Sequence, residues 1–169
     1  AQARGMPSVV TLNGTYFHKD TVAAMQAQGM QQLTLCLDND RPGQEATYRL
    51  IKKLLGIPDV QVFVAHLPSS CKDPDELIRN QSIDAFRTIV DQADGAGRYL
   101  ADIYKSRIDA YTPEQLTDRK RADMLDYCQE TAELMQRPMD RHQFFTSIAE
   151  ILPEAALFMI PPQALQQQG

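Results

Sequence analysis

The sequence predicts an α/β fold, a parallel sheet flanked by helices, with an all-helical segment after it. Three observations carry this. Strand-like and helix-like segments alternate over residues 8–65 in the order β-α-β-α-β with tight loops, the pattern of right-handed parallel crossovers. Beyond Pro68 the character changes, and helix-start signals follow one another with no further strand-like run. The chain has 169 residues, 43% hydrophobic and 23% charged, which is ordinary for a globular protein with room for one good core and an appendage.

Residues 8–12 (SVVTL) form a β-branched run that stops at the Asn13-Gly14 turn. Residues 20–28 (DTVAAMQAQ) read as a helix, with Gly29 as its stop. Residues 33–37 (LTLCL) are a strand by composition. Residues 43–55 set Ala46, Leu50, Ile51, Leu54 and Leu55 at helical spacing, and Gly56 ends that helix. Residues 60–65 (VQVFVA) are the third strand. Asp73 suits a helix N-cap and Pro74 the first helical position. Residues 82–93 and 97–111 continue as helices, Thr112-Pro113-Glu114-Gln115 starts a long helix to about Met135, and residues 140–152 make a further one. Leu100, Ile103, Tyr104 and Ile108 supply one apolar face, and Phe144, Ile148 and Leu152 another. The expected organisation is an α/β domain over residues 1–94, a helical subdomain over 95–160 and a flexible tail over 161–169.

In an open parallel sheet, ligands bind beyond the carboxyl ends of the strands. Those ends carry Asn13-Gly14-Thr15, Asp38-Asn39-Asp40 and the loop over residues 67–73, so Asp38, Asp40 and Asp73 head toward one edge. Two carboxylates one residue apart repel each other unless something positive lies between them. Hard oxygen donors of this kind suit Mg²⁺, which keeps waters and bridges to phosphate oxygens. Lys72 would steady a phosphate as a point charge. A plainer reading stands beside this one. Asp-Asn-Asp followed by Pro-Gly is a good turn sequence, and Asp73 is a good N-cap that needs no metal. His66 reads as a strand-end residue, Cys36 as core packing, and Arg119-Lys120-Arg121 as a solvated helix face.

Composition excludes several classes. Cys36, Cys71 and Cys128 are widely spaced with no CxxC pair, which argues against a disulfide framework and against zinc in this chain. A reducing, cytoplasmic setting is expected. No apolar run is long enough to span a bilayer, and the opening AQARGMPS lacks the apolar core of a signal peptide, so no membrane partner is expected. The absence of Met at position 1 reads as processing or as a piece of something longer. A net charge of −5 argues against a whole-surface nucleic-acid binder, but leaves room for a local basic face or a metal-bridged phosphate site.

Taken together, LCLDNDRPGQEA at residues 35–46, a strand, and LPSSCKDPDELI at 67–78 resemble the Toprim region of bacterial-type (DnaG-like) DNA primases. Upstream, VVTLNGTYFHKDTVAAM at 9–25 is similar to that family's strand, Gly-Thr turn and helix. Downstream, residues 82–100 and 138–152 resemble the helices that follow Toprim in primases. The resemblance implies a Toprim-like parallel sheet followed by a helical subdomain. It implies Asp38, Asp40 and Asp73 as catalytic residues, and these with Asp75 as ligands of Mg²⁺ or Mn²⁺. It implies Lys72, Gly14, Thr15 and Arg41 around the nucleotide phosphates. The activity it implies is metal-dependent synthesis of short RNA primers on single-stranded DNA during replication, a nucleotidyltransferase reaction. Single-stranded DNA template and nucleoside triphosphates are the implied partners, with a replicative helicase as a further one.

The chain also departs from the family pattern. Asn39 stands where glycine is usual, Pro42 where alanine is usual, and Cys71 replaces the usual glycine before Lys72. The family's first motif ends a strand with a catalytic glutamate, and no Glu precedes Glu45 here. The expectation is therefore the carboxyl part of a primase catalytic core, truncated at its N-terminal edge and inactive alone. The alternatives are another Toprim protein, such as a topoisomerase or nuclease relative, and a non-catalytic replication module that docks through its helices. A haloacid-dehalogenase-like phosphatase fits poorly, because Arg41-Pro42 follows the second Asp where that family wants Thr or Val.

Overall fold

The computed structural model describes residues 19–108 and 115–159. The expected first strand at 8–12, the Gly14-Thr15 turn and the tail at 161–169 lie outside the described residues. The chain divides into two compact units, Ala1–Asp94 and Gly95–Gly169.

The first unit runs α1 (Lys19–Ala27), β1 (Gln32–Leu35), α2 (Arg41–Leu54), β2 (Gln61–Val64), α3 (Pro74–Asn80) and α4 (Ile83–Asp91). Strands β1 and β2 are parallel, with Leu33 opposite Val62 and Leu35 opposite Val64. The register continues one step past β2, where the Ala65 N–H donates to the Leu35 carbonyl at 2.9 Å. Helix α2 is the crossover between them. It buries Ala46, Leu50, Ile51 and Leu54 and leaves Arg41, Gln44, Glu45 and Arg49 in solvent, the amphipathic division its spacing predicts. A second cluster forms where the chain leaves β2: Leu67, Cys71, Leu77, Ile78 and Phe86 are buried together, with Cys36 packed against them. It fixes the loop over residues 67–73 on the first turn of α3.

A short strand, β3 (Asp94–Gly95), joins the sheet in the order β1-β2-β3. It was not expected from sequence, and two residues carry no period to reveal it. Asp94 Oδ2 lies 3.1 Å from His66 Nε2 at the end of β2. β1 is also shorter than expected and ends before Cys36 and Leu37, while α2 begins two residues earlier than expected, at Arg41.

After Gly95 of β3, the regular elements among the second unit's described residues are all helices: α5 (Ala96–Ile108), α6 (Asp118–Glu133), α7 (Pro138–Ala149) and a 3₁₀ helix (Pro153–Met159). Several boundaries differ from expectation, and α7 starts two residues early, at Pro138. α6 begins at Asp118, because Thr117 caps it by accepting the Lys120 N–H at 3.4 Å. α7 ends at Ala149, and the chain tightens into the 3₁₀ helix, which still leaves Leu152 fully buried. Helices α5 and α7 cross closely at Gly97, where a Cβ would overlap the Asp140 backbone carbonyl. Phe144 meets Tyr104 edge-on with ring centres 5.6 Å apart, and Tyr104 shares a 2.6 Å hydrogen bond with Thr131. Of the expected apolar face on α5, Leu100, Tyr104 and Ile108 are buried and Ile103 half-buried. Arg121 is not simply solvated: it pairs with Glu154 through both carboxylate oxygens, at 2.8 and 2.9 Å. Among the described residues, no helix is long and apolar enough to cross a membrane.

Candidate metal and phosphate site

The site is built from two loops in the first unit, one after β1 and one before α3. In the first, Asp40 ends the extended backbone and caps α2, its Oδ1 accepting the Gly43 N–H at 2.8 Å. The cap forms here because Pro42 sits in the first helical turn, where its missing N–H costs nothing. Gly43 is buried against the loop that caps α2. A Cβ at this position would overlap the Asp38 carbonyl and stand 3.1 Å from Asp40 Oδ1. The Asp-x-Asp turn is thus folded back onto the helix start.

In the second loop, Asp73 caps α3 in the same way, its Oδ1 accepting the Glu76 N–H at 2.7 Å. The two loops are joined. The Asn39 N–H donates to the Lys72 carbonyl at 2.7 Å, and Asn39 Nδ2 reaches the Pro68 carbonyl at 3.5 Å. This link sets Asp38 and Asp40, which flank Asn39, beside Lys72 and Asp73.

Sequence-predicted residues divide accordingly. Asp38 and Lys72 are exposed, and Asp40 and Asp73 are half-buried at their helix starts. Asp75 lies on the outer side of α3, paired with Arg79 at 3.3 Å. Arg41 pairs with Glu45 one helical turn on, at 3.1 Å, and both are exposed. Gly14 and Thr15 lie outside the described residues. Asp38 also acts on its surroundings: burial chiefly, and the Asp38 charge secondarily, push the Cys36 thiol up to about 11.

Among the described residues, no three His, Cys, Asp or Glu side chains gather closely enough to hold an ion. A closed protein cage of the zinc type is therefore not formed by them. The donors fit Mg²⁺ differently. Asp40 and Asp73 each use one oxygen as a cap and have a second, Asp38 is at the surface, and Mg²⁺ is held by one or two carboxylates completed by water and phosphate. Sequence reading missed two residues here. Glu76 stands three residues after Asp73, the spacing of a capping box, so its part was legible. The tight approach of Gly43 to Asp38 was not, since it is a contact rather than a pattern.

Comparison with known proteins bears on this arrangement. A family described as Toprim-like matches residues 1–78. A DNA primase of Listeria innocua is 33% identical over 95 residues, covering 54% of this chain and 14% of that protein. A DNA primase of Thermotoga maritima is 34% identical over 77 residues, covering 46% of this chain and 13% of that protein. The chain thus spans only a small part of these relatives. Among solved structures, the Escherichia coli primase catalytic core superposes with a TM-score of 0.59 at 21% identity, over 76% of this chain and 40% of that one. A DnaG primase catalytic domain bound to single-stranded DNA superposes with a TM-score of 0.61 at 20% identity, over 77% and 40%. At such identities these structures establish the likeness of fold.

Proposed function

We propose, from the match of residues 1–78 to the Toprim-like family and the likeness to DNA primases, that this chain serves the catalytic core of a DNA primase, in metal-dependent synthesis of short RNA primers on single-stranded DNA. The observation that carries the proposal is the 2.7 Å bond from the Asn39 N–H to the Lys72 carbonyl, which holds the two acidic loops side by side. Asp38, Asp40 and Asp73 offer carboxylate oxygens to Mg²⁺ or Mn²⁺. A divalent ion bound there would neutralise triphosphate charge and orient the primer hydroxyl. Lys72, on the same loop, supplies a point charge to a phosphate, and Arg41, at the start of α2, supplies a planar fork. Gly14 and Thr15 are assigned to the phosphate side of the site on the family pattern. Single-stranded DNA and nucleoside triphosphates are the substrates in this reading, and a replicative helicase its partner.

The test is metal binding. Mn²⁺ titrated into the chain by calorimetry should bind. Asp38→Asn and Asp40→Asn should each weaken binding by about tenfold or more, as loss of a carboxylate ligand removes both charge and a donor. Without metal both variants should keep the fold, since asparagine caps helices as well as aspartate and the repulsion in the loop is relieved. If the unaltered chain and both variants respond alike to Mn²⁺ in melting temperature and in titration, this loop is not a metal site.

A further inference from the structure

We infer that Glu76 is a positioning residue that keeps the two acidic loops in register, and is not itself a metal ligand; this rests on the reading of those loops given above. Glu76 makes two bonds in opposite directions. Its N–H donates to Asp73 Oδ1 at 2.7 Å, and its Oε2 accepts the Lys72 N–H at 2.6 Å. In an ordinary capping box the glutamate returns to the N–H of the capping residue itself. Here it reaches one residue further back. That shift matters because the Lys72 carbonyl is the acceptor for Asn39. Both backbone polar groups of Lys72 are therefore held, one by α3 through Glu76 and the other by the Asp-x-Asp loop.

The consequence is mechanical. Asp38 and Asp40 flank Asn39, and Asp73 follows Lys72, so rotation of the Lys72 backbone changes the separation of carboxylates on the two loops. A charge-assisted bond as short as this one resists that rotation more than a neutral one would. The neighbouring acid behaves differently. Asp75 is turned outward to Arg79, with its side chain 71% exposed. A role confined to helix capping would lower stability and leave metal affinity alone, and this difference supplies the test.

In the full 169-residue chain, Glu76→Ala and Glu76→Gln are compared by Mn²⁺ calorimetry and by metal-free amide exchange at Asn39. Glu76→Ala should weaken Mn²⁺ binding about tenfold, the usual loss when a residue supporting a ligand is removed, and should speed Asn39 exchange. Glu76→Gln keeps a neutral acceptor oxygen and should restore most of both. Wild-type affinity and wild-type exchange in Glu76→Ala would overturn the inference. So would a Gln variant as weak as Ala in Mn²⁺ binding with Asn39 still protected, because that pattern marks a ligand. If the unaltered chain binds no Mn²⁺, the metal reading fails, and exchange alone decides the register role. Fast exchange only in Glu76→Ala then upholds it, and equal exchange in all three sinks it.

Discussion

At the scale of a residue, Gly43 shows how the site constrains the fold. Its N–H donates to Asp40 Oδ1 and its carbonyl accepts the Thr47 hydroxyl at 2.9 Å, so it is tied into both the loop and the helix. Alanine is the better helix former by about 1 kcal/mol, and propensity alone would make Gly43→Ala stabilising. The overlap of a Cβ with the Asp38 carbonyl opposes this. Backbone must move to relieve it, and such overpacking costs about 1–3 kcal/mol. The overlap should win, because the obstructing atom is main chain and cannot swing aside like the end of a side chain. Gly43→Ala should lower the midpoint of urea unfolding without changing its slope. An unchanged or raised midpoint would mean that the Asp-x-Asp loop is free to shift. The sequence marks a glycine at this position, but not the carbonyl five residues back that makes it necessary.

At the scale of elements, what was legible follows from how local each cause is. Asp40 with Pro42, and Asp73 with Pro74, announce two helix starts, because caps and proline act within one turn. The expected helix start at Thr112-Pro113-Glu114 lies outside the described residues, and α6 itself starts after Thr117, whose hydroxyl caps it. The crossing of α5 and α7 could not be read at all. It brings Gly97 onto the backbone of Asp140, more than forty residues away. Asp140 is left only 5% exposed there, and burial raises its carboxyl above the usual range, with Arg137 opposing. The linkage has a definite sign. A carboxyl whose folded pKa is raised binds its proton more tightly folded than unfolded. Its contribution to stability is fully present below its unfolded pKa, about 3.9, and is lost as pH rises through the folded value. At neutral pH Asp140 is therefore a burden. Asp140→Asn, which has nearly the same shape, should raise the melting temperature at pH 7, and the gain should shrink as pH falls toward 4. A gain that is equal at both pH values would show that charge is not the cause.

At the scale of the whole chain, the two compact units can be taken one at a time. The acidic loops, their caps and the link between them all lie within Ala1–Asp94. The second unit holds Leu100, Tyr104, Cys128, Phe144, Ile148 and Leu152, each at most 4% exposed, drawn from α5, α6, α7 and the turn that follows. Its helices are fastened by contacts internal to the unit: the Tyr104–Thr131 hydrogen bond, the edge-on Tyr104–Phe144 pair, and the fork of Arg121 on Glu154. A segment of roughly 75 residues is near the lower limit for a single core without a disulfide or metal, so independence is not assured by size. What favours it is the packing of two phenylalanines at the centre, since removing one such ring typically costs about 3–5 kcal/mol. Residues 95–169 produced alone should keep a helical circular dichroism spectrum and unfold in one cooperative transition. Phe144→Ala should abolish that cooperativity while leaving much of the helical signal. A fragment that is helical but melts gradually, with no fixed near-ultraviolet signal, would show that this core depends on the first unit.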